Sequence, residues 1–293
     1  MTFLQNVITA FSVGSLYALL ALGLALVASI MQLINFAHGE LIMLAAYTVV
    51  FLVGWNLISL LAATVAVGVL SALATEWIAF RPIRDADATT LFITSFALSY
   101  LLQGVARLVF GSIPKTTPAF SDLSNPIQIG PLAIATLDIV ILVTTLVLLV
   151  GLSLFLGKTR HGIQMRAAAE DFSTARTLGV RGDRVIGLGF GLSGLLAAVA
   201  AVLFIGQSGV VSPTMGSGLV LVAFIASVLG GMGSLRGAVL GGYVLGAATV
   251  ALQAFLPLDL RYYRDAIVFA AIIALLVLRP QGLIPSKAVM TRV

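Results

Sequence analysis

The stretch MTFLQNVITAFSVGSLYALLALGLALVASIMQLINFAHGE, residues 1–40, carries no Lys, Arg, Asp, Glu or His until His38 and Glu40 at its end. A helix crossing the hydrocarbon core of a bilayer needs about 20 apolar residues, and residues 1–37 supply more than that without a charge. The pattern continues outward from this stretch. Residues 41–75 contain no charge, and neither does the run from Val185 to Leu235. Over all 293 residues, 60% are hydrophobic and 9% charged, with a mean hydropathy of +1.14. Soluble domains carry about 25% charged residues, so this chain has too few to cover a water-facing globule and must be solvated largely by lipid. Soluble enzymes, DNA-binding modules and secreted disulfide scaffolds are thereby excluded. With no cysteine, the chain also has no disulfide and no Cys-ligated metal. The N-terminus lacks the basic start of a signal peptide and its apolar run is too long for one, so it reads as retained.

The net charge of +5 is explained by where the basic residues fall. Arg81 and Arg84 share one loop. Lys158, Arg160, Arg166, Arg176, Arg181 and Arg184 share another, and Arg279, Lys287 and Arg292 lie in the C-terminal tail. Basic residues concentrate in cytoplasmic loops, so the charge reports topology and not nucleic-acid binding. Hydropathy places helices at about 8–33, 40–55, 58–80, 88–110, 134–156, 185–206, 218–232, 237–256 and 264–279. The expected fold is an all-α integral membrane protein, a polytopic bundle of about 8–10 transmembrane helices, with broken segments near 35–40 and 230–237. Four prolines (Pro114, Pro118, Pro126 and Pro131) make residues 111–131 an ordered extracytoplasmic crossing in place of a helix. Counting sides from the six-base loop puts Arg81, Arg84 and the tail on the cytoplasmic side and the N-terminus outside. Glycines four apart (Gly187/Gly191, Gly233/Gly237, Gly237/Gly241, Gly242/Gly246) point to close packing of helices within the chain.

Several motifs fail on context. Residues Gly189 to Gly194 spell G-x-G-x-x-G, but inside an uncharged membrane segment with no strand before it. The string from Gly111 to Thr116 is like a P-loop, except that Pro114 removes a backbone N–H that phosphate would need. No ATP site is left. His38 and His161 lie on different loops without ligand spacing, and no G-x-S-x-G is present.

Three constellations carry information. The first is Asn35-Phe36-Ala37-His38-Gly39-Glu40, an ionisable break between apolar segments. Ionisable groups at membrane depth are costly and mark pathways, although Asn35 as a cap and Glu40 at a helix start would explain them equally well. The second is the glycine-dense break Gly230 to Gly237, which contains Gly231, Gly233, Ser234 and Arg236. Broken segments in both halves point to a transporter's route, whereas tight hairpin packing with Arg236 reaching the cytoplasm is the plainer alternative. The third is the cytoplasmic stretch from Gly157 to Arg184. There Met165, Ala168, Ala169, Phe172 and Ala175 share one helical face, Arg166, Glu170 and Ser173 another, and Gly179 stops the helix. Such an amphipathic helix needs a surface for its apolar side, either lipid or a soluble partner.

The run Gly14-Ser15-Leu16-Tyr17-Ala18-Leu19-Leu20-Ala21-Leu22-Gly23, followed by Ile34 to Glu40, resembles the opening of LivH-type permeases of branched-chain amino acid ABC importers. Arg166 to Asp171, Leu178-Gly179-Val180, Asp183 to Ile186, Leu229 to Ser234 and Leu278 to Leu283 are similar to later signatures of that family, so the likeness spans about residues 14–284. The resemblance implies a single transmembrane permease domain over 1–293 in a bacterial cytoplasmic (inner) membrane, with a coupling loop at about 157–184. It implies a LivM-type second permease, two cytoplasmic ATPase subunits that bind ATP and Mg, and a periplasmic substrate-binding protein. This chain would hold no cofactor of its own. Asn35, His38, Gly39, Glu40, Gly231, Gly233 and Ser234 would form the translocation pathway. Met165, Arg166, Ala169, Glu170, Phe172 and Gly179 would couple to the ATPases. Two rivals remain: a secondary transporter with His38 and Glu40 as proton relay, and an intramembrane enzyme.

Overall fold

The computed structural model describes residues 2–120, 123, 125–129, 132–279 and 281–284. Lys287 and Arg292 lie outside the described residues, as do Pro131 and Pro280. Eleven α-helices run α1 Thr2–Met31, α2 His38–Phe51, α3 Leu57–Thr75, α4 Ala88–Phe110, α5 Thr136–Lys158, α6 Arg160–Glu170, α7 Phe172–Thr177, α8 Gly182–Ser208, α9 Met215–Gly230, α10 Leu235–Phe255 and α11 Arg264–Leu278. Six of them are long and apolar enough to cross a membrane, while α2 and α9 are shorter apolar helices. A helix lies at each of the nine expected segments, with ends shifted by up to about six residues.

Caps account for several boundaries. The Asn56 side chain accepts from the Ile58 N–H at the start of α3, and Asp87 accepts from Thr89 and Thr90 at the start of α4. Gly209, in the left-handed region, ends α8. The proline-rich crossing holds short strands. Lys115–Thr116 (β1) pairs antiparallel with Val210–Val211 (β4), and Pro126–Ile129 (β2) pairs with Leu132–Ala135 (β3).

Two runs of three helices form the core, each made of a long helix, a re-entrant loop, a short helix and a third long helix. The first is α1–α2–α3 and the second α8–α9–α10. They are inverted relative to each other. Gly68 on α3 packs against Gly194 and Ala198 on α8, while Gly242 and Gly246 on α10 pack against Ala18 and Gly14 on α1. Each third helix therefore leans on the long helix of the other run, the arrangement expected of inverted-repeat transporters. Small residues permit these backbone approaches. Of the four glycine spacings in the sequence, Gly242/Gly246 and Gly237/Gly241 are used in this way, the latter against Gly230 and Ala226. Nothing stands near Gly187, and Gly194 takes its role on α8. The G-x-G-x-x-G string is thus helix packing, with Gly189 over Ile30 and Gly194 on the Gly68 backbone.

Sidedness follows from packing. Leu26, Val27, Ile30 and Leu33, at the end of α1, share a buried cluster with Met165 and Ala168 of the basic loop and with Val185 and Ile186 of α8. The end of α1 is therefore at the loop's side, which is cytoplasmic by its charge, and Thr2 is at the opposite side.

Candidate functional site

After Met31 the chain turns through Gln32, which has a φ of 53°, and climbs back into the bundle. His38 reaches the level of Gly23 on α1, where a side chain on Gly23 would strike the imidazole. Gly23 lies eight residues before the end of α1, about 12 Å along the helix axis. Helix α2 thus begins deep in the membrane. The second run repeats this from the other side: after the outer strand β4 the chain re-enters, and α9 begins against the start of α2. A side chain on Gly39 would collide with the Gly216 carbonyl, and one on Gly216 would meet Glu40 Oε2 at 2.6 Å. Only glycine at both positions lets the two helix starts touch.

Around this junction lies a polar cluster. Glu40 is 0% exposed, and its Oε1 accepts from the Ser99 hydroxyl at 3.0 Å and from Gln103 Nε2 at 2.9 Å. Gln103 also donates to Ser217 Oγ at 2.8 Å. Helices α2, α4 and α9 are thereby joined by one carboxylate, one amide and two hydroxyls. Glu40 Oε2 has no hydrogen-bond partner and neither does His38 Nε2. His38 Nδ1 is 3.1 Å from Ser193 Oγ, which donates to the Gly23 carbonyl at 2.9 Å. Asn35, also buried, accepts from the Ala37 N–H at 3.0 Å through Oδ1 and so shapes the turn; the N-cap itself is Ala37, which makes no side-chain bond. A buried carboxylate oxygen without a partner is expensive in a low-dielectric interior. It is tolerated where a water or a passing group can satisfy it.

Gly231, Gly233 and Ser234 are not brought to this junction. They follow the far end of α9, about 20 Å from its start. There Leu283 and Ile284 donate to the Leu229 and Gly230 carbonyls, a side chain on Gly231 would meet Ile284 and Gln281, and Ser234 caps α10 through the Gly237 N–H. The second break is a packed cytoplasmic turn. The re-entrant break of the second half is instead the one before Gly216. Ser99, Gln103, Gly216 and Ser217 were not singled out in the sequence. The polar stripe Ser95, Ser99 and Gln103, spaced by four in an apolar segment, was the available signal.

The cytoplasmic stretch also differs from the expected single helix. Asp171 ends α6 and caps α7, accepting from the Ser173 and Thr174 N–H groups. The hydroxyl and N–H of Thr174, with the hydroxyl of Ser173, hold its carboxyl below the ordinary 3.8, at about 2. Met165, Ala168 and Ala175 are buried on the chain's own helices, not on lipid or a partner, and Ala169 and Phe172 are half-buried. Arg166, Glu170, Leu178 and Gly179 face outward. Gly179, at φ 90°, stops α7 as anticipated. Arg84 ties this region to the end of α3, pairing with Asp183 at the start of α8 and with buried Glu76. Beside these groups is a cavity of ≈ 1050 Å³ lined by Met31, Gln32, Leu91, Arg84, Phe172 and Asp183.

A bundle of inverted, re-entrant helices around a buried polar junction has the anatomy of a transporter, and comparison with known proteins decides which kind. Residues 6–276 match the family described as the permease component of branched-chain amino acid transport systems. The chain belongs to that family. It is similar to the high-affinity branched-chain amino acid transport system permease BraD of Pseudomonas aeruginosa, 34% identical over 96% of this chain and 95% of BraD. It is 33% identical to LivH of Escherichia coli K12 over the same shares, and 30% identical to a probable LivH of Methanocaldococcus jannaschii over 92% of this chain and 89% of that one. No solved structure matches. As a permease of this family the chain is a multi-pass membrane transport subunit, not an enzyme, and one component of a larger system.

Proposed function

We propose that this permease forms the route for branched-chain amino acids, or closely related small solutes, in an ATP-driven importer of a bacterial inner membrane, and that the route passes the junction of α2 and α9. The observation that carries this reading is the partnerless oxygen of Glu40, fully buried at the point where two short helices begin. Asn35, His38, Gly39 and Glu40 belong to the route, now with Ser99, Gln103 and Ser217. Gly231, Gly233 and Ser234 instead brace the cytoplasmic end. The outward residues of α6 and of the turn after α7, namely Arg166, Glu170, Leu178 and Gly179, meet one of two ATPase subunits, which bring ATP and Mg. A homologous second permease completes the channel, and a periplasmic binding protein delivers cargo at the end that holds β1 and β4.

In this scheme ATPase closure pushes on α6–α7, the Arg84 ion pairs carry the displacement to the α3–α4 turn, and α4 shifts Ser99 and Gln103 relative to Glu40. The natural absence of cysteine makes the test clean. Cysteines at Ser99 and Ser217, in the assembled importer, should react with water-soluble thiol reagents in one state of the ATP cycle and be protected in the other. Failure of both to react in every state would refute a route at this junction.

A further inference from the structure

Most of the outer surface of the bundle suits lipid. Through the middle of α3, α5, α10 and α11 the exposed side chains are aliphatic: Ala66 on the first, Leu146, Val147 and Val150 on the second, Val244 and Ala247 on the third, Ala270, Ala271 and Ile273 on the fourth. One seam is different. Tyr100 stands within a residue of the midpoint of α4, is 71% exposed, and makes no hydrogen bond among the described residues. At ~1.5 Å per residue it lies at least about 15 Å from either end of the helix, too deep for its hydroxyl to reach a headgroup. Beside it the start of α9 is exposed at Thr214, Ser217, Gly218 and Leu221. With about 100° per residue, Tyr100 lies about 60° beyond Gln103 on the flank of α4 turned away from Ser99, and Thr214, Gly218 and Leu221 lie on the side of α9 beyond Ser217, away from Gly216. The 2.8 Å hydrogen bond from Gln103 to Ser217 joins these two flanks. Both exposed sets therefore belong to one continuous seam.

A phenol hydroxyl at mid-bilayer, next to a helix that starts within the membrane, cannot be left to hydrocarbon, which offers no hydrogen-bond partner. Water alone does not cover the seam, because lipid tails displace it from the outside of a bundle unless another protein stands over it. We infer that the α4–α9 seam is the surface on which the second permease seats, with Tyr100 donating across it to an acceptor of that chain and the open space at Gly218 receiving one of its side chains. This assignment rests on the paired-permease reading proposed above and names where the partner binds. The packing of α4 agrees with it. That helix meets its own chain along one stripe, through Phe92 and Phe96 on Phe36, Ser99 and Gln103 on Glu40, and Phe110 on Tyr47. The Tyr100 flank is left for a neighbour. Since Gln103 and Ser217 form the floor of the seam, one wall of the polar junction is completed only by the partner.

The experiment uses the complete importer in its membrane, with one residue of this chain at a time replaced by the photoreactive p-benzoylphenylalanine. Irradiation of the variants at Tyr100 and Leu221 should shift this chain to the combined mass of the two permeases, whereas those at Val147 on α5 and Ile273 on α11 should give lipid adducts only. A matched pair of substitutions gives a second readout. Nothing lies within 4 Å of where a side chain on Gly218 or Gly151 would begin, so tryptophan at either position leaves the packing of this chain alone. Gly218→Trp should lose the second permease from the purified complex, and Gly151→Trp should retain it at the wild-type level. Tyr100→Phe, which removes only the hydroxyl, should shorten the half-life of the permease pair in detergent about two- to tenfold, the worth of one hydrogen bond. Lipid adducts alone at positions 100 and 221, together with full retention of the second permease in Gly218→Trp, overturn the seam as its seat. Should the second permease then be captured from position 147 or 273, the paired-permease reading stands and only the surface falls; if no position captures it and none co-purifies with the wild-type chain, both fall.

Discussion

At the scale of single residues, Gly39 and Gly216 hold the most leverage, because each occupies the space a side chain of the other would need. Gly39→Ala should destabilise the chain by about 3 kcal/mol or more, since backbone rather than a flexible side chain stands in the way. Gly187→Ala, with nothing within 4 Å, should be neutral or slightly stabilising through lost unfolded-state freedom. Thermal unfolding of the two variants in detergent measures the contrast, and equal melting temperatures would show that the helix starts do not touch. Gly187 sits in an apolar, glycine-rich run, whereas Gly39 stands between His38 and Glu40 with no other glycine between Gly23 and Gly54; the sequence marks a break at Gly39 but not what packs on it.

Among the elements, α6 and α7 show how a sequence pattern can be read correctly and assigned to the wrong surface. The periodicity of Met165, Ala168 and Ala175 is real, yet these residues are buried on α1 and α8. Met165→Asp should therefore cost several kcal/mol and prevent stable insertion, because it buries an unpaired carboxylate within the chain. Leu178, 81% exposed, is the better test of an ATPase contact. Leu178→Asp should change stability by no more than about 0.5 kcal/mol yet reduce co-purification of the ATPases; co-purification at the wild-type level would remove Leu178 from the interface. Phe172, half-buried with its ring tip 3.0 Å from where a Gly182 side chain would begin, mixes both effects. The Asp171 cap adds a pH dependence of known sign. Its folded value is depressed to about 2 from 3.8, so its contribution is complete above about 3.8 and disappears as pH falls through about 2. Amide exchange of α7, corrected for intrinsic rates, should show unchanged protection between about pH 8 and pH 5 and lose it only near the lower value.

For the whole molecule, the decisive links join elements far apart in sequence. Arg84 bridges Glu76 and Asp183, connecting the α3–α4 turn to the start of α8 just after the basic loop. Arg84→Met would leave Glu76, 7% exposed, as a buried charge without its partner, a loss of about 3 kcal/mol. The double variant Arg84→Met with Glu76→Gln should recover most of that stability. It should still uncouple ATP hydrolysis from uptake, because the tie to Asp183 is gone. Normal coupling in the double variant would exclude this ion pair as a transmission element. The sidedness of charge agrees with the packing at this scale. Of the described basic residues, Arg107, Lys115, Arg261 and Arg264 occupy the outer end, and the rest gather at the end that holds the basic loop.

The sequence by itself determined that the chain is a polytopic helical membrane protein, where its apolar helices lie, which loops gather the basic charge, and that Asn35 to Glu40 breaks the first apolar stretch. These follow from composition and periodicity, because lipid demands apolar surface and internally satisfied backbone wherever it touches the chain. Tertiary structure alone decided which break in the second half meets Glu40. The glycine-dense turn at Gly230 to Gly237 looked like its counterpart, but glycine content reports close approach without saying to what, and that turn packs on residues 281–284. The true counterpart, before Gly216, is almost silent in sequence because its function lies in where a helix starts and not in which side chains it bears. Ser99 and Gln103 were likewise visible only as small polar residues in a span. Their meaning came from α4 lying against α2, which turns them toward a carboxylate about sixty residues earlier in the chain.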